Sequence, residues 1–276
     1  MKRPEDFWAV DPEFSGLYAE KVDAGRAIAA KSKVVVLGLA RNAEKNLANS
    51  LKLLGFLGTH FAWPKGFVFE NDSDDNTVPL LTGQRPPWLL FRSDSNGRPH
   101  LQLFEKERTD ALAEYRNVCK QWAFTNAKDA DYVVVVDLDA DGGFSVDGVL
   151  NSIAWLDEID EAFGMGSYSL FRMTDADGTP KFAQYDAWAA RLNHWSDRVR
   201  LGLHKWYHVW MPPVGSEPVR FYSCFGGLAV YRARDYFLGE YRGGDCEHVT
   251  FHRSIHQATG RYMYFNSGSR FATQFS

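Results

Sequence analysis

Asp131-Tyr-Val-Val-Val-Val-Asp137-Leu-Asp139-Ala-Asp141-Gly-Gly143 is the stretch that decides the fold. Four valines in a row predict a strand buried on both faces, since a half-wet strand would alternate apolar and polar residues. Three carboxylates follow at alternate positions. On an extended chain, positions two apart point the same way, so Asp137, Asp139 and Asp141 can converge on one point. Like charges that close repel unless a cation or proton sits among them. A hard divalent ion, Mg²⁺ or Mn²⁺, suits carboxylate oxygens and keeps positions open for phosphate. The plainer alternative is an acidic loop turning into solvent.

Upstream, Lys33-Val-Val-Val-Leu-Gly-Leu-Ala40 repeats the buried-strand pattern. Asn42 is a good N-cap for an amphipathic helix from Ala43 to about Leu57, with Leu47, Leu51 and Leu54 at helical spacing. Phe67-Val-Phe-Glu-Asn-Asp72 is a short strand entering a polar loop. Strand, helix, strand predicts a βαβ unit, hence a parallel sheet with a right-handed crossover. Ligands in open α/β sheets bind beyond the C-terminal strand ends. The loops Ala40–Asn42, Asn71–Asp75 and Asp137–Gly143 all belong on that edge.

The remaining stretches fill in around this unit. Leu17 to Ala30 reads as a helix, and Phe7-Trp8 is expected to dock on the body. Residues 83–100, with their prolines and Asn96-Gly97, predict a surface excursion, followed by a strand at Leu101–Phe104. Arg108 to Phe124 predicts a helix. Arg108 and Arg116 lie two turns apart on one side of it, placed either for phosphate or base contact or for surface ion pairs. Val149–Phe163 reads as a helix, Ser167–Phe171 as a strand and Asp175–Gly178 as a turn. Tyr185-Asp186-Ala-Trp188-Ala-Ala-Arg191 mixes acid, indole and cation. Residues 194–218 suggest a loop or lid near a cleft. The pair Gly226-Gly227 lets backbone approach a ligand closely, and a strand to Arg232 follows. Gly243 to His256 opens a helix, where Asp245 and Glu247 are favourable simply as acids at an N-terminus. His248, His252 and His256 make a stripe without the HExxH arrangement of zinc proteases. Arg261–Phe265 predicts an edge strand.

Bulk properties narrow the function. With 276 residues the chain can bury a substantial core, as one large domain or two tightly joined halves, after a mixed, partly helical stretch at residues 1–32. A net charge of -4 argues against nonspecific binding to a polyanion, although it leaves room for a local basic groove. Aromatics at 15% fit either ring-lined clefts that stack on sugars or bases, or a large aromatic core. Cys119, Cys224 and Cys246 are an odd, scattered set, so no disulfide framework or structural zinc site is expected. No apolar leader or membrane-length apolar run is present, and a cytoplasmic location is expected.

Together these stretches resemble a GT-A-fold glycosyltransferase, with an α/β, Rossmann-like, mostly parallel sheet. Val34–Asn42, Glu70–Thr77, Leu112–Asn117 and Asp137-Leu-Asp139 match in order. Tyr185–Arg191, Phe225–Arg232 and Cys246–Val249 are similar to a subgroup around the capsule-associated mannosyltransferases. The match spans roughly residues 33 to 266. The resemblance implies a UDP- or GDP-linked sugar donor in the N-terminal half, contacted by Ala40, Arg41 and Asn42. It implies a Mn²⁺ or Mg²⁺ ion on Asp139, with Asp137 near the ribose or the metal. The third acid leaves Asp139 with Asp141 as an alternative register. Asp72 is implied near the nucleobase or ribose, and Arg108 and Arg116 near the base or diphosphate. For an inverting reaction Glu247, or Asp245 if the register slips, is implied as general base, whereas a retaining one would need no such base; His252 is implied as a metal or diphosphate contact with His248 second. Tyr185, Asp186, Trp188, Gly226, Gly227 and His248 are implied on the acceptor side. The acceptor is a glycan, a lipid-linked glycan, a protein, or a modified base in phage DNA.

Two other readings compete. A haloacid-dehalogenase-like phosphatase also ends an apolar strand in DxD, with Asp137 as nucleophile and Asp139 as general acid. Against it, the motif follows a complete βαβ unit, and Asp141 stands where Thr or Val is expected. A sugar-binding module with a decayed site is the non-catalytic reading, and the intact acids argue against that. Nucleotide transfer to a sugar phosphate would want a glycine-rich phosphate loop at the first strand, and none is present.

Overall fold

The computed structural model describes residues 1–101, 106–174, 177–193 and 204–273. Helix α1 (Ser15–Ala29) precedes strand β1 (Lys33–Ala40), helix α2 (Glu44–Gly58) and strand β2 (Trp63–Asn71). β1 and β2 pair in parallel, as the βαβ reading requires. Then come α3 (Thr77–Gln84), β3 (Leu89–Asp94), α4 (Lys106–Ala127) and β4 (Tyr132–Asp137), the four-valine strand. The second half holds β5 (Gly143–Phe144), α5 (Val146–Glu158), β6 (Ala162–Thr174), β7 (Pro180–Gln184), α6 (His204–Val209) and β8 (Val219–Phe221). It ends with β9 (Leu228–Arg232), α7 (Ala233–Tyr236), α8 (Glu247–Thr259) and β10 (Tyr262–Ala272).

All ten strands join one mixed sheet, whose main order is β3-β2-β1-β4-β9-β6-β10-β5. The run β3, β2, β1, β4 is parallel throughout. β9 inserts antiparallel between β4 and β6, and β10 runs parallel to β6. The valines explain the layering. Val134 and Val136 join a core with Val34, Leu47, Leu54 and Leu150, on the side of α1, α2 and α5. Val133 and Val135 face the other way, into a core with Val35, Ala123 and Phe251 from the side of α4 and α8. Burying such a side chain fully is worth about 1.5–3 kcal/mol, so a strand that does so on both faces belongs at the centre of the sheet.

Register sets up the site. Leu39 sits opposite Asp137, Ala40 opposite Glu70, and Asn71 opposite Asp94. The C-terminal ends of four parallel strands therefore open on one edge, where the three polar loops were expected.

Several expectations change. Residues 83–100 are not only a surface excursion, because β3 lies within them and extends the sheet past β2. Asn42 is not the cap of α2: it takes a left-handed φ of 47°, and its side chain accepts from the Asp74 N–H at 3.0 Å. The first N–H groups of α2 are satisfied from the next loop instead, Ala43 by Thr77 Oγ1 at 2.8 Å and Glu44 by Asp75 at 3.0 Å. α5 starts at Val146 and stops at Glu158, and Ala162-Phe163 already belong to β6. β10 is no edge strand: it pairs with β6, β5 and β8 and is buried along nearly all its length, because residues 262–272 carry almost no solvated face. Part of the 194–218 stretch is helical, at α6. Most of the strand expected at Leu101–Phe104, part of the turn at Asp175–Gly178 and residues 194–203 lie outside the described residues.

The N-terminal extension is tied down. Trp8 meets Tyr168 edge-on, with ring centroids 4.4 Å apart. Buried Arg270 donates to the Trp8 carbonyl, to Glu5 at 3.2 Å and to the Tyr18 hydroxyl at 3.0 Å. No helix among the described residues is long and apolar enough to cross a membrane.

Two glycines of α1 test this packing with opposite signs. A Cβ on Gly25 would lie 1.8 Å from the Leu150 carbonyl oxygen of α5, whereas one on Gly16 would meet nothing within 4 Å. Gly25→Ala is expected to destabilise the protein by about 1–3 kcal/mol through overpacking. Gly16→Ala is expected to stabilise it by about 0.4–1 kcal/mol by restricting the unfolded chain. Urea unfolding midpoints check both, and equal effects would contradict the α1–α5 contact.

Candidate active site

A cavity of about 730 Å³ opens at the C-terminal strand edge. The end of β1 supplies Ala40 and Arg41, the end of β2 supplies Asn71, and the end of β4 supplies Asp137 and Asp139. α4 contributes Arg108 and Arg116 to one wall, and Glu247 and His248 of α8 form part of another. Tyr185, Asp186, Trp188, Phe225 and Gly227 complete the far side. Residues spread over the sequence meet here because α4 and α8 both pack on the face of the sheet that carries Val133 and Val135.

Arg116 is the electrostatic centre. Its Nη2 donates to Asp137 Oδ1 at 2.7 Å, and its Nε lies 3.7 Å from Glu247 Oε1. The side chain is only 6% exposed, so both carboxylates act on it through low dielectric. Burial alone would lower its pKa, but Asp137 and then Glu247 outweigh that and push it above its ordinary range.

The carboxylates differ from one another. Enclosure by the cleft walls, then repulsion from Asp137, pushes the Asp139 carboxyl up to about 6, although water reaches it. Burial raises Glu247 above the usual carboxylate range, with Arg116 pulling the other way. Asp186 also rises to about 6 through burial, while the Gly226 N–H that it accepts at 2.8 Å opposes the shift. Three carboxyls raised above their ordinary range in one cleft are the kind of groups that bind cations or move protons.

Among the described residues, no three His, Cys, Asp or Glu side chains gather as a metal cage. Asp137 and Asp139 nevertheless line one cavity. Such a pair fits an ion of the Mg²⁺ or Mn²⁺ type, which binds one or two carboxylates and takes other oxygens from substrate phosphates.

Other expected site residues stand elsewhere. Asp141 is buried and does not line the cavity, so the three acids do not converge: the chain leaves the extended form after β4. Asp245 is turned away, with both its oxygens on the Nη2 of fully buried Arg191, at 2.9 and 3.1 Å. His252 is not a metal contact either. It does not line the cavity, Nδ1 bonds Ser223 Oγ at 2.8 Å, and Nε2 bonds the Tyr231 hydroxyl at 2.9 Å. Asp72 does not line the cavity: it has a φ of 52°, and Oδ1 accepts from the Gly97 N–H at 2.8 Å, pinning the loop after β3. Asn42 and Gly226 also lie off the cavity lining, next to residues that form it. Among the described residues Arg108 has no ion-pair partner: its guanidinium sits 5.5 Å over the Trp188 ring.

Sequence reading missed Phe225 as an individual, and it missed the return of Arg98–Leu101 over the strand edge. Arg41 holds that return, donating to the Arg98 carbonyl at 2.8 Å. Proline-rich composition masked the segment. Phe225 stacks on His248 with centroids 3.6 Å apart, a contact that no local pattern announces.

Neither a family model nor a curated protein matches the sequence. Solved structures do match. A mannosyltransferase from Pyrobaculum calidifontis, PcManGT, in complex with GDP-Man and Mn²⁺, superposes with a TM-score of 0.51 at 13% identity, covering 95% of this chain and 67% of that one. S. aureus TarS 1-349 gives 0.49 at 14%, covering 88% of this chain and 60% of that one. A mycobacterial protein gives 0.47 at 13%, covering 93% and 69%. This chain thus spans less than two thirds of TarS 1-349. At such identity the likeness to PcManGT shows the fold alone, an α/β fold of the GT-A type.

The place of His252 makes a testable claim. Burial pushes its pKa down to about 3, so the folded ring stays neutral. In the unfolded chain a His titrates near ~6.5. Between those values the unfolded state binds the extra proton, so stability present above ~6.5 is lost as pH falls toward the folded value. Urea unfolding at pH 7 and pH 5 is expected to give a slope that His252→Gln flattens by up to about 1.4 kcal/mol per pH unit. An unchanged slope would count against the neutral, doubly bonded ring.

Proposed function

We propose that this protein is a metal-dependent glycosyltransferase that moves a sugar from a nucleotide-sugar donor to an acceptor hydroxyl. One observation carries the reading: Asp137, Asp139 and the buried Glu247 line one cavity at the strand edge of a GT-A-type fold. The order of its motifs, similar to capsule-associated mannosyltransferases, supports the same reading.

Asp139 and Asp137 would hold Mn²⁺ or Mg²⁺, which neutralises the leaving diphosphate as a Lewis acid. The donor, UDP- or GDP-linked, lies along residues 33–143, with Ala40, Arg41 and Asn71 at its nucleotide end and Arg108 near its phosphates. The acceptor enters past Tyr185, Asp186 and Trp188, on the side of residues 144–276. Its hydroxyl oxygen bonds to the anomeric carbon, the bond from that carbon to the diphosphate breaks, and the nucleotide diphosphate leaves with the electron pair. Glu247 takes the hydroxyl proton. A carboxyl raised above its ordinary range is a stronger base, and the Arg116 charge beside it favours the ionised form that accepts a proton. Transfer in this scheme inverts the anomeric centre. The acceptor is a glycan or another hydroxyl compound, such as a modified base in phage DNA.

Thermal shifts with UDP, GDP, CDP and ADP sugars, with and without Mn²⁺, test the donor. One nucleotide is expected to raise Tm only when metal is present. Asp139→Ala is expected to abolish that shift. Glu247→Gln is expected to keep the shift and lower turnover roughly 10²–10⁴-fold, with activity in the wild type falling as pH drops through the raised Glu247 pKa. Wild-type turnover by the Glu247 variant would sink the base assignment.

A further inference from the structure

Two buried side chains on the cavity wall have unused hydrogen-bonding groups. Arg116 commits Nη2 to Asp137, while its Nε and Nη1 have no hydrogen-bond partner among the described residues. Neither ring nitrogen of His248 has one, although the residue is only 3% exposed. Unmatched buried donors are costly and rare, and each calls for an explanation.

Both side chains approach the same atom. Arg116 Nε lies 3.7 Å and His248 Nε2 3.5 Å from Glu247 Oε1. These gaps are a few tenths of an ångström beyond a good hydrogen bond. Catalytic hydrogen bonds are often long in empty sites and tighten around the reacting complex. Among the described residues, the other oxygen, Oε2, meets only the weak thiol donor of Cys246, with Sγ at 3.8 Å. Phe225 keeps both donors in place. The His248 ring lies on it with planes 14° apart, and the Arg116 guanidinium is 5.4 Å from the same ring.

We propose that His248 and Arg116 form a two-donor clamp on Glu247 Oε1, which leaves Oε2 as the atom that takes the acceptor proton. The clamp rests on the reading of Glu247 as general base. It requires the His248 proton on Nε2, since a bare nitrogen would repel the carboxylate. Burial, then the Arg116 charge, holds this ring well below its ordinary range, so it is neutral with one N–H to give. Both residues are positioning residues. Arg116 also bonds Asp137, so the acidic strand end and the base keep a fixed separation.

Two substitutions separate the ring from its donor. His248→Phe keeps a ring on Phe225 without an N–H. His248→Gln keeps an amide N–H near the place of Nε2 without the ring. With the donor found active, His248→Phe is expected to lower kcat at least tenfold with donor KM within twofold, and His248→Gln to recover part of that loss. Wild-type kcat in the Phe variant would overturn the clamp. Long-range ¹H–¹⁵N spectra of the wild type need no turnover and no variant that folds. They are expected to show His248 as the Nε2–H tautomer at neutral pH, and the Nδ1–H tautomer would overturn the clamp. Failure of the transferase reading looks different: the wild type turns over no nucleotide sugar, while the tautomer still reports on the clamp.

Discussion

A buried guanidinium between two carboxylates organises this molecule. Arg116 cannot shed its charge, so burying it demands anionic partners. Asp137 comes from the end of the central strand and Glu247 from the start of α8, and Arg116 itself sits on α4. Three elements far apart in sequence are thus pinned at one point. Removing one partner of such a buried pair typically costs about 3–5 kcal/mol, a large share of a domain's net stability of roughly 5–15 kcal/mol. The site and the fold therefore depend on the same contact.

A second buried arginine, in the other half of the chain, repeats the logic. Arg191 is wholly buried and takes Asp245 as its counter-ion, while its backbone bridges to Ser223. That pairing orients the residues between. In Tyr185–Arg191, Asp186 and Trp188 face the cavity and Arg191 anchors the loop behind them. In Asp245–His248, the first acid neutralises Arg191 and the second reaches the cavity. Two acids that look interchangeable in sequence thus have different places, because each faces a different buried arginine: Arg191 holds Asp245 behind the loop, and Arg116 holds Glu247 at the cavity. The histidine stripe divides likewise. His248 reaches the cavity wall, His252 is consumed by Ser223 and Tyr231, and His256 bonds the Arg261 carbonyl at 2.8 Å.

Much of the parallel part of the sheet was legible in the chain. Valine runs announce strands buried on both faces, the leucine spacing announces α2, and their order announces a parallel unit with loops on one edge. Those signals are local and periodic, so they survive without knowledge of the rest. What failed was non-local. Asn42 has the right chemistry for a cap, but Thr77 and Asp75 already serve the first turn of α2. Arg261–Phe265 reads as an edge strand until β6, β5 and β8 are seen to cover it. Asp141 shares the spacing of Asp137 and Asp139, but the backbone turns away after β4 and buries it.

By itself the sequence determined the fold type, the strand edge where the polar loops gather, and the acidic pair at the end of β4. Burial patterns and strand order are written in residue type and spacing, and solvation alone enforces them. The tertiary structure alone decided which acid faces the cavity on α8, which histidine is spent in the core, and that Phe225 packs beneath His248 and Arg116. Those outcomes depend on which charges share a low-dielectric space, and a one-dimensional pattern does not record that distance.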